Sequence, residues 1–253
     1  MENLQEVLIE DERLDKILIA RGLVTTRVRA EAIIRESGVL VNGKLVTKTG
    51  KRFPLDCKIK MMAEESPWVS RGAYKLLQGL EAFKLDVKGK VFLDIGASTG
   101  GFTEVLLQAG ASKVYCVDVG SNQLHAKLAE DARVVNLEKT HVRELTPALI
   151  PELADGIVID VSFISLTKIF PFVHAFLKED AIGVILIKPQ FEVGKDNVGK
   201  GGVVKDVKLF PAMLETIKRE AALSHLEIKK IIDSPILGGD GNKEFLGYLK
   251  VKK

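Results

Sequence analysis

The chain has 253 residues, 46% of them hydrophobic, and a net charge of only +3. That length suits one large domain or an ordinary domain with a small module, and the near-balanced charge means that an anionic partner meets a local patch, not a global field. Two cysteines without a CxxC spacing, Cys57 and Cys116, exclude a disulfide framework and a cysteine-built metal site. An acidic N-terminus without a signal core, and apolar runs far short of the roughly 18 residues of a membrane span, lead us to expect a cytoplasmic protein that uses neither metal nor membrane.

Composition divides the chain near "EESPW", Glu64 to Trp68. From Arg13 to Lys60 there are twelve Lys or Arg against four Asp or Glu, so the rest of the chain must be net acidic. Within this basic stretch "RLDKILIARGL" predicts a helix with Leu14, Ile17 and Leu18 on one face and Gly22 as its stop. "TTRVRAEAIIRESG" predicts a second helix, capped by threonines, with Ala30, Ile33 and Ile34 inward and Gly38 at its end. Arg27, Arg29 and Arg35 are then left to face outward. "VLVNGKLV" places Asn42-Gly43 between two short strands, a strong hairpin signal. A solvated basic face would explain scattered charges, but a surplus concentrated in one small unit favours RNA.

This stretch, "RLDK…RG…TRVRAEAIIRESGVLVNGK", resembles the S4 RNA-binding domain over Arg13 to Met62. The resemblance implies a module over residues 1–63 that binds structured RNA, with Arg13, Lys16, Arg27, Arg29, Arg35 and Lys44 as its contacts. S4 domains are appended to several kinds of enzyme, so the module names the ligand and not the chemistry.

After a linker at 64–69, residues 70–253 read as alternating helices and strands. "SRGAYKLLQGLEAF" predicts a helix capped by Ser70, with Ala73, Leu76, Leu77 and Leu80 on one face. Strand candidates follow in "KVFLDIG", "KVYCVDVG", "ARVVNLEKT", "GIVIDVSF", "IGVILIK", "HLEIKKIIDSPI" and "KEFLGYLKV". Near-continuous apolar strands between helices imply a parallel sheet covered on both faces. The last two follow one another without a helix, as an antiparallel edge hairpin would. The fold class is therefore α/β, a small α+β module followed by a mostly parallel seven-stranded sheet with an antiparallel last strand, the ending typical of Rossmann-like methyltransferases.

"FLDIGASTGGFTEVLL" carries the first chemistry. Gly96, Gly100 and Gly101 lie between a strand and a helix N-terminus, where glycines let a backbone approach a ligand closely. The spacing is not GxGxxG, which disfavours a dinucleotide. The stretch resembles motif I of S-adenosylmethionine-dependent methyltransferases. That implies Asp94 organising the cofactor's ammonium and Gly96, Ser98, Thr99, Gly100 and Gly101 cradling it, with Asp118 on the ribose hydroxyls. Glu138 and Thr140 follow the third strand, where the adenine lies in this fold. A glycine turn made only for helix–strand contact, with a surface Asp, is the plainer alternative. His141 reads as a loop histidine.

Charges also end the strands. "GIVID" ends on Asp160, "GVILIK" on Lys188, and Glu244 opens the last strand, while Lys75 interrupts the apolar stripe of the first helix. Each has a bland explanation. Asp160 could cap a helix over "SFISLTKIF", and Lys188 could snorkel. Four charges at one edge of one sheet are harder to explain that way, because ligands of open α/β sheets bind beyond the carboxyl ends of the strands.

The set resembles the Lys-Asp-Lys-Glu tetrad of FtsJ-like 2′-O-ribose methyltransferases. Together with the S4-like module and "LIKPQFEVGKDNVGKGGVVKD", nearly the whole chain resembles the TlyA (hemolysin A) family of ribosomal RNA methyltransferases. The resemblance implies methyl transfer from S-adenosylmethionine to a cytidine 2′-hydroxyl in ribosomal RNA or ribosomal subunits, with Lys75, Asp160, Lys188 and Glu244 catalytic. Free lysine, with a pKa of about 10.4, needs burial or a neighbouring ammonium to serve as a base, and Lys75 beside Lys188 would supply one. Phe163 is a candidate to stack on the target base, with a core role as alternative, and Lys195 and Lys200 are candidates for phosphate contacts. An amine methyltransferase would carry Asn/Asp-Pro-Pro-aromatic where "DVSF" stands, and a C5-pyrimidine enzyme a cysteine that is missing there. A membrane-active hemolysin or a non-catalytic RNA-binding protein remains the alternative function.

Overall fold

A computed structural model of the chain describes residues 11–24, 26–36, 38–61, 67–238 and 241–252. The side chain of Arg35 and the first part of the expected linker, 64–66, lie outside the described residues. The chain divides into two compact units at Ser66 and Pro67.

In the first unit β1 (Asp11–Arg13), α1 (Leu14–Ala20) and α2 (Arg27–Glu36) precede β2 (Val39–Val41), β3 (Lys44–Val46), β4 (Arg52–Pro54) and β5 (Ile59–Met61). Strand β1 pairs with β4, and β3, β2 and β5 form a small antiparallel sheet. Leu14, Ile17 and Leu18 of α1 meet Ala30 and Ile34 of α2 in a core completed by Val39, Val41 and Val46, as the helical spacing requires. Thr26 Oγ1 caps α2 by accepting from the Arg29 N–H at 3.2 Å. Asn42 and Gly43 both have positive φ, the requirement of the two-residue hairpin between β2 and β3.

The second unit starts with α3 (Gly72–Phe83) and continues through β6 (Val91–Ile95), α4 (Gly101–Gln108), β7 (Lys113–Val117), α5 (Ala126–Ala129), β8 (Val134–Leu137), β9 (Ala154–Ile159), β10 (Leu177–Ile187), α6 (Pro189–Glu192), α7 (Phe210–Leu223), β11 (Leu226–Asp233) and β12 (Phe245–Val251). The seven strands lie in the order β11-β12-β10-β9-β6-β7-β8. Only β12 runs antiparallel to its neighbours, β10 and β11. It lies inside the sheet and leaves β11 at the edge.

Strand alternation divides the apolar residues between two cores. Leu93, Ile95, Ile157, Ile159, Ile185, Ile187 and Phe245 face a cluster that includes Phe210, Met213 and Ile217 of α7. Phe92, Cys116, Val158, Val184, Leu186 and Leu246 face α3 and α4.

Three expectations are corrected. Ser70 does not cap α3; the helix begins without a side-chain cap, and the Ser70 hydroxyl instead covers Gly101 at the start of α4. Leu77 is exposed, and the buried stripe of α3 runs Ala73, Leu76, Gly79 and Phe83. Residues 161–176 form no α-helix; Leu166–Lys168, Phe170–Phe172 and His174–Phe176 are separate 3-10 turns, the middle one carrying Pro171.

Candidate active site

The chain runs from β6 outward to β7 and β8, then returns to add β9 and β10 on the other side of β6. A crevice therefore opens between the carboxyl ends of β6 and β9, the switch point of the sheet. Gly96 turns there with φ +84° and donates its N–H to Val117 O at 2.8 Å. A Cβ on it would lie 2.5 Å from the Asp160 carbonyl oxygen, so only glycine fits. A Cβ on Gly100 would strike Leu124 and Leu128, and one on Gly101 the Ser70 hydroxyl, so at both positions the chain's own side chains fill the space a larger residue would need.

Asp94 is also corrected. Strand β6 continues to Ile95, and alternation turns Asp94 toward α4, where it is 0% exposed and has no surface left for an ammonium group. Its Oδ2 accepts from Thr103 Oγ1 at 2.6 Å, whose oxygen lies 3.0 Å from Cys116 Sγ, and its Oδ1 is buried without a hydrogen-bond partner. Burial, reinforced by the charges of Asp160 and Asp118 and opposed by the Thr103 hydrogen bond, pushes the carboxyl up to about 7.

Asp118, half-buried just past β7, holds the turn together. It accepts from the Ser98 N–H at 2.8 Å and the Gly120 N–H at 2.7 Å. Ser98 is exposed at φ +47°, and Thr99 is half-buried beside it. Glu138 accepts from the N–H groups of Asn122, Gln123 and Leu124 at 2.8, 2.7 and 3.0 Å, and these backbone bonds hold its carboxyl below the usual range. Thr140 donates to Glu138 O at 3.2 Å. His141 caps a 3-10 turn through the Arg143 N–H, a structural task.

The four strand-end and helix charges come together as two ion pairs. Lys75 Nζ lies 2.6 Å from Glu244 Oε2, with side-chain exposures of 10% and 2%. Lys188 Nζ lies 2.6 Å from Asp160 Oδ1, with exposures of 11% and 21%. Asp160, Lys188 and Glu244 each adjoin a residue that points to the α7 core, namely Ile159, Ile187 and Phe245. Alternation therefore turns all three to the face that carries α3, where Lys75 waits. Pairing of β10 with β12 sets Ile187 opposite Phe245, which aligns Lys188 with Glu244 at one edge. Each lysine thus has a carboxylate against it, Glu244 at Lys75 and Asp160 at Lys188.

Ser162 was missed by sequence reasoning. Its hydroxyl lies 2.9 Å from Lys188 Nζ, and its place two residues past Asp160 was the available signal. Glu192 was missed as well; it accepts from Ser165 Oγ at 2.6 Å and the Leu166 N–H at 2.9 Å, fastening the loop after β9 to α6. That loop presents Phe163 at φ +65° and 92% exposure, its ring 5.4 Å from that of Phe191, so a core role is excluded. Lys195 and Lys200 are exposed on the loop after α6.

In the first unit Arg13 grips buried Asp15 with bonds of 3.0 and 2.8 Å, and Arg27 joins it at 3.2 Å while also meeting Glu31 at 3.1 Å. These two arginines are thus partly committed to the fold. Lys16 is exposed beside Glu12, Lys44 is exposed, and Arg29 is half-buried.

The model of the FtsJ-like methyltransferase family matches residues 68–251, and that of the S4 domain matches residues 12–54. The 16S/23S rRNA (cytidine-2′-O)-methyltransferase TlyA of Mycobacterium tuberculosis is 42% identical over 241 residues, covering 95% of this chain and 90% of that one. The chain belongs to the TlyA family of FtsJ-like methyltransferases. Hemolysin A of Brachyspira hyodysenteriae is 40% identical over 93% of this chain and 98% of its own. A solved structure from Streptococcus thermophilus, 39% identical, superposes with a TM-score of 0.76 over 97% of this chain and 90% of that one. The family's two-module order is therefore present along the whole described chain. No helix among the described residues is long and apolar enough to cross a membrane, and no cluster of three or more His, Cys, Asp or Glu there could hold a metal ion.

Proposed function

We propose that the protein transfers a methyl group from S-adenosylmethionine to the 2′-hydroxyl of a cytidine in ribosomal RNA, working in the cytoplasm on RNA or ribosomal subunits that its S4 domain helps to hold. The observation that carries this reading is the pair of 2.6 Å ion pairs, Lys75–Glu244 and Lys188–Asp160, at the edge beside the Gly96 turn. Neither a non-catalytic RNA-binding protein nor a membrane lytic protein has a use for two nearly buried lysine–carboxylate pairs at a sheet's ligand edge.

The residues at the crevice fit the cofactor. S-adenosylmethionine is a cation that supplies an electrophilic sulfonium methyl. Asp118 and Asp160 lie close enough to Asp94 that their charges help to raise it, so carboxylates stand near where a cation would sit. Asp118 and exposed Ser98 would line it, with Thr99 and Thr140 near by. Asp94, Gly100 and Gly101 support the turn from behind, and Glu138 does so by fixing the 122–124 backbone.

Lysine has three N–H donors, and Ser162 takes one of those of Lys188, while Asp160 Oδ1 faces the ammonium at 2.6 Å as its counter-ion without a hydrogen bond, leaving donors for a ribose hydroxyl. The hydroxyl proton passes to this pair as the oxygen attacks the methyl carbon. The pair then carries one additional proton, which returns to solvent. Lys75 and Glu244 hold this edge rigid, and alignment for in-line displacement does much of the work. Phe163 and half-buried Phe191 offer a ring surface to a splayed base, and Lys195 and Lys200 offer charge to its phosphates.

The test is tritiated-methyl transfer to ribosomal RNA from cells lacking the gene, followed by mapping of the modified riboses. Lys188→Ala should lose about 10²-fold or more in rate with its fold intact. Transfer at near wild-type rate by that variant would overturn the assignment of Lys188. The competing reading is membrane lysis, the activity in the name of the Brachyspira relative. Dye leakage from liposomes without methyl transfer, in the same preparation, would establish it.

A further inference from the structure

Asn242 lies two residues before Glu244 and is 1% exposed, and both ends of its side-chain amide are hydrogen-bonded. Its Oδ1 accepts from the Val204 N–H at 3.0 Å, and its Nδ2 donates to Gly202 O at 2.8 Å. Both partners belong to a closed turn in which Gly199 donates to Val203 O at 2.9 Å and Gly202 to Gly199 O at 3.0 Å. On its own side, the Asn242 carbonyl accepts from the Gly238 N–H at 2.9 Å. Gly238 in turn faces Glu244, whose Oε1 would lie 2.5 Å from a Cβ placed there. One side chain thus joins the loop that carries Lys195, Lys200 and Lys205 to the turn that carries Glu244. All three lysines are exposed, and none is in an ion pair among the described residues.

We propose that Asn242 is a positioning residue that locks the lysine-bearing 195–205 loop to the Glu244 edge, so that RNA phosphates held by the loop fix the target ribose in register with Lys188. The proposal rests on the RNA methyl-transfer reading above. The physical reason is that the loop has no regular secondary structure of its own beyond short turns, whereas Asn242 sits at the mouth of β12, a strand paired on both sides. A buried amide with both ends satisfied transmits position, because losing either bond leaves a buried backbone group unpaired. Aspartate at this position keeps the acceptor for Val204 and loses the donor to Gly202.

The experiment is a double-mutant cycle on the full chain. Asn242→Ala is made in the wild-type background and in Lys195→Gln/Lys200→Gln/Lys205→Gln. Affinity for ribosomal RNA is read by filter binding, affinity for S-adenosylhomocysteine by calorimetry, and KM and kcat by methyl transfer. In the wild-type background we expect the RNA Kd and KM to rise several-fold more than kcat falls, with cofactor affinity unchanged. In the lysine-neutralised background the same substitution should change RNA affinity less than twofold, because the contacts it positions are already gone. Asn242→Asp should show an intermediate loss. Equal losses in both backgrounds, a fall in cofactor affinity, or no change in RNA affinity would overturn the proposal. So would a failure of both Asn242 variants to fold, which would make the residue a purely structural one. Because RNA affinity is read without catalysis, a wild-type protein that binds RNA with this coupling but transfers no methyl would refute the enzymatic reading and leave the coupling standing.

Discussion

Lys75 and Glu244 illustrate how a single buried pair fixes a site. Glu244 is 3% exposed and meets its counter-ion at 2.6 Å, so removing the lysine strands a charge away from water. Lys75→Ala should destabilise the protein by about 3 kcal/mol or more, seen as a lower urea midpoint at unchanged m-value. Lys75→Met together with Glu244→Leu should recover most of that loss and still fail to transfer methyl, which separates stability from chemistry. Asp94 gives the opposite electrostatics. Its folded pKa of about 7 exceeds the unfolded value of 3.8, so the folded chain holds this proton more tightly. Unfolding then releases a proton between about pH 4 and 7, and the contribution of Asp94 to stability falls as the pH rises through that window. Asp94→Asn, which mimics the protonated acid, should improve in Tm relative to wild type between pH 5 and pH 8, as calorimetry at the two values will show. A constant difference would mean that Asp94 is not the titrating group.

At the scale of elements, the alternation of the strands does the placing. Because Ile159, Ile187 and Phe245 are pinned in the α7 core, their neighbours Asp160, Lys188 and Glu244 have to project toward α3. This was legible in "GIVID" and "GVILIK" as apolar runs that end on a charge. The same rule hid the place of Asp94, because alternation turns the second-to-last residue of β6 toward α4 and into the core. The glycine turn was legible as a turn, but what fills the space beside Gly100 and Gly101 was not, because Ser70, Leu124 and Leu128 reach it only through packing. Gly96 carries the strictest requirement. Gly96→Ala must hold a Cβ at φ +84° and 2.5 Å from a backbone oxygen, the conformation alone costing roughly 1–2 kcal/mol. We expect a lower Tm and at least a tenfold loss of S-adenosylhomocysteine affinity by calorimetry, about 1.4 kcal/mol.

For the whole molecule, an S4 domain and a methyltransferase domain in one chain combine charge-driven binding with a site that is nearly neutral within itself. The two ion pairs cancel the lysines at the chemistry, so the affinity for RNA must come from surface charge elsewhere, and it should weaken with salt. Log K against log salt should be linear, and Lys44→Gln should lower the magnitude of its slope by about 0.7 to 0.9 without changing cofactor affinity. An unchanged slope would remove Lys44 from the RNA contacts. The count of basic residues in the first unit overstates its reach, since Arg13 and Arg27 are drawn onto buried Asp15. By itself the sequence determined the order of modules, the parallel sheet and the four charges of the edge, because periodicity, composition and strand-end position are local properties of the chain. Only the tertiary structure decided which carboxylate meets which lysine, that Asp94 lies out of reach of a ligand, and that Asn242 joins two distant loops. Those are contacts between residues far apart in sequence, and they exist only once the sheet has set its register and the helices have closed over its faces.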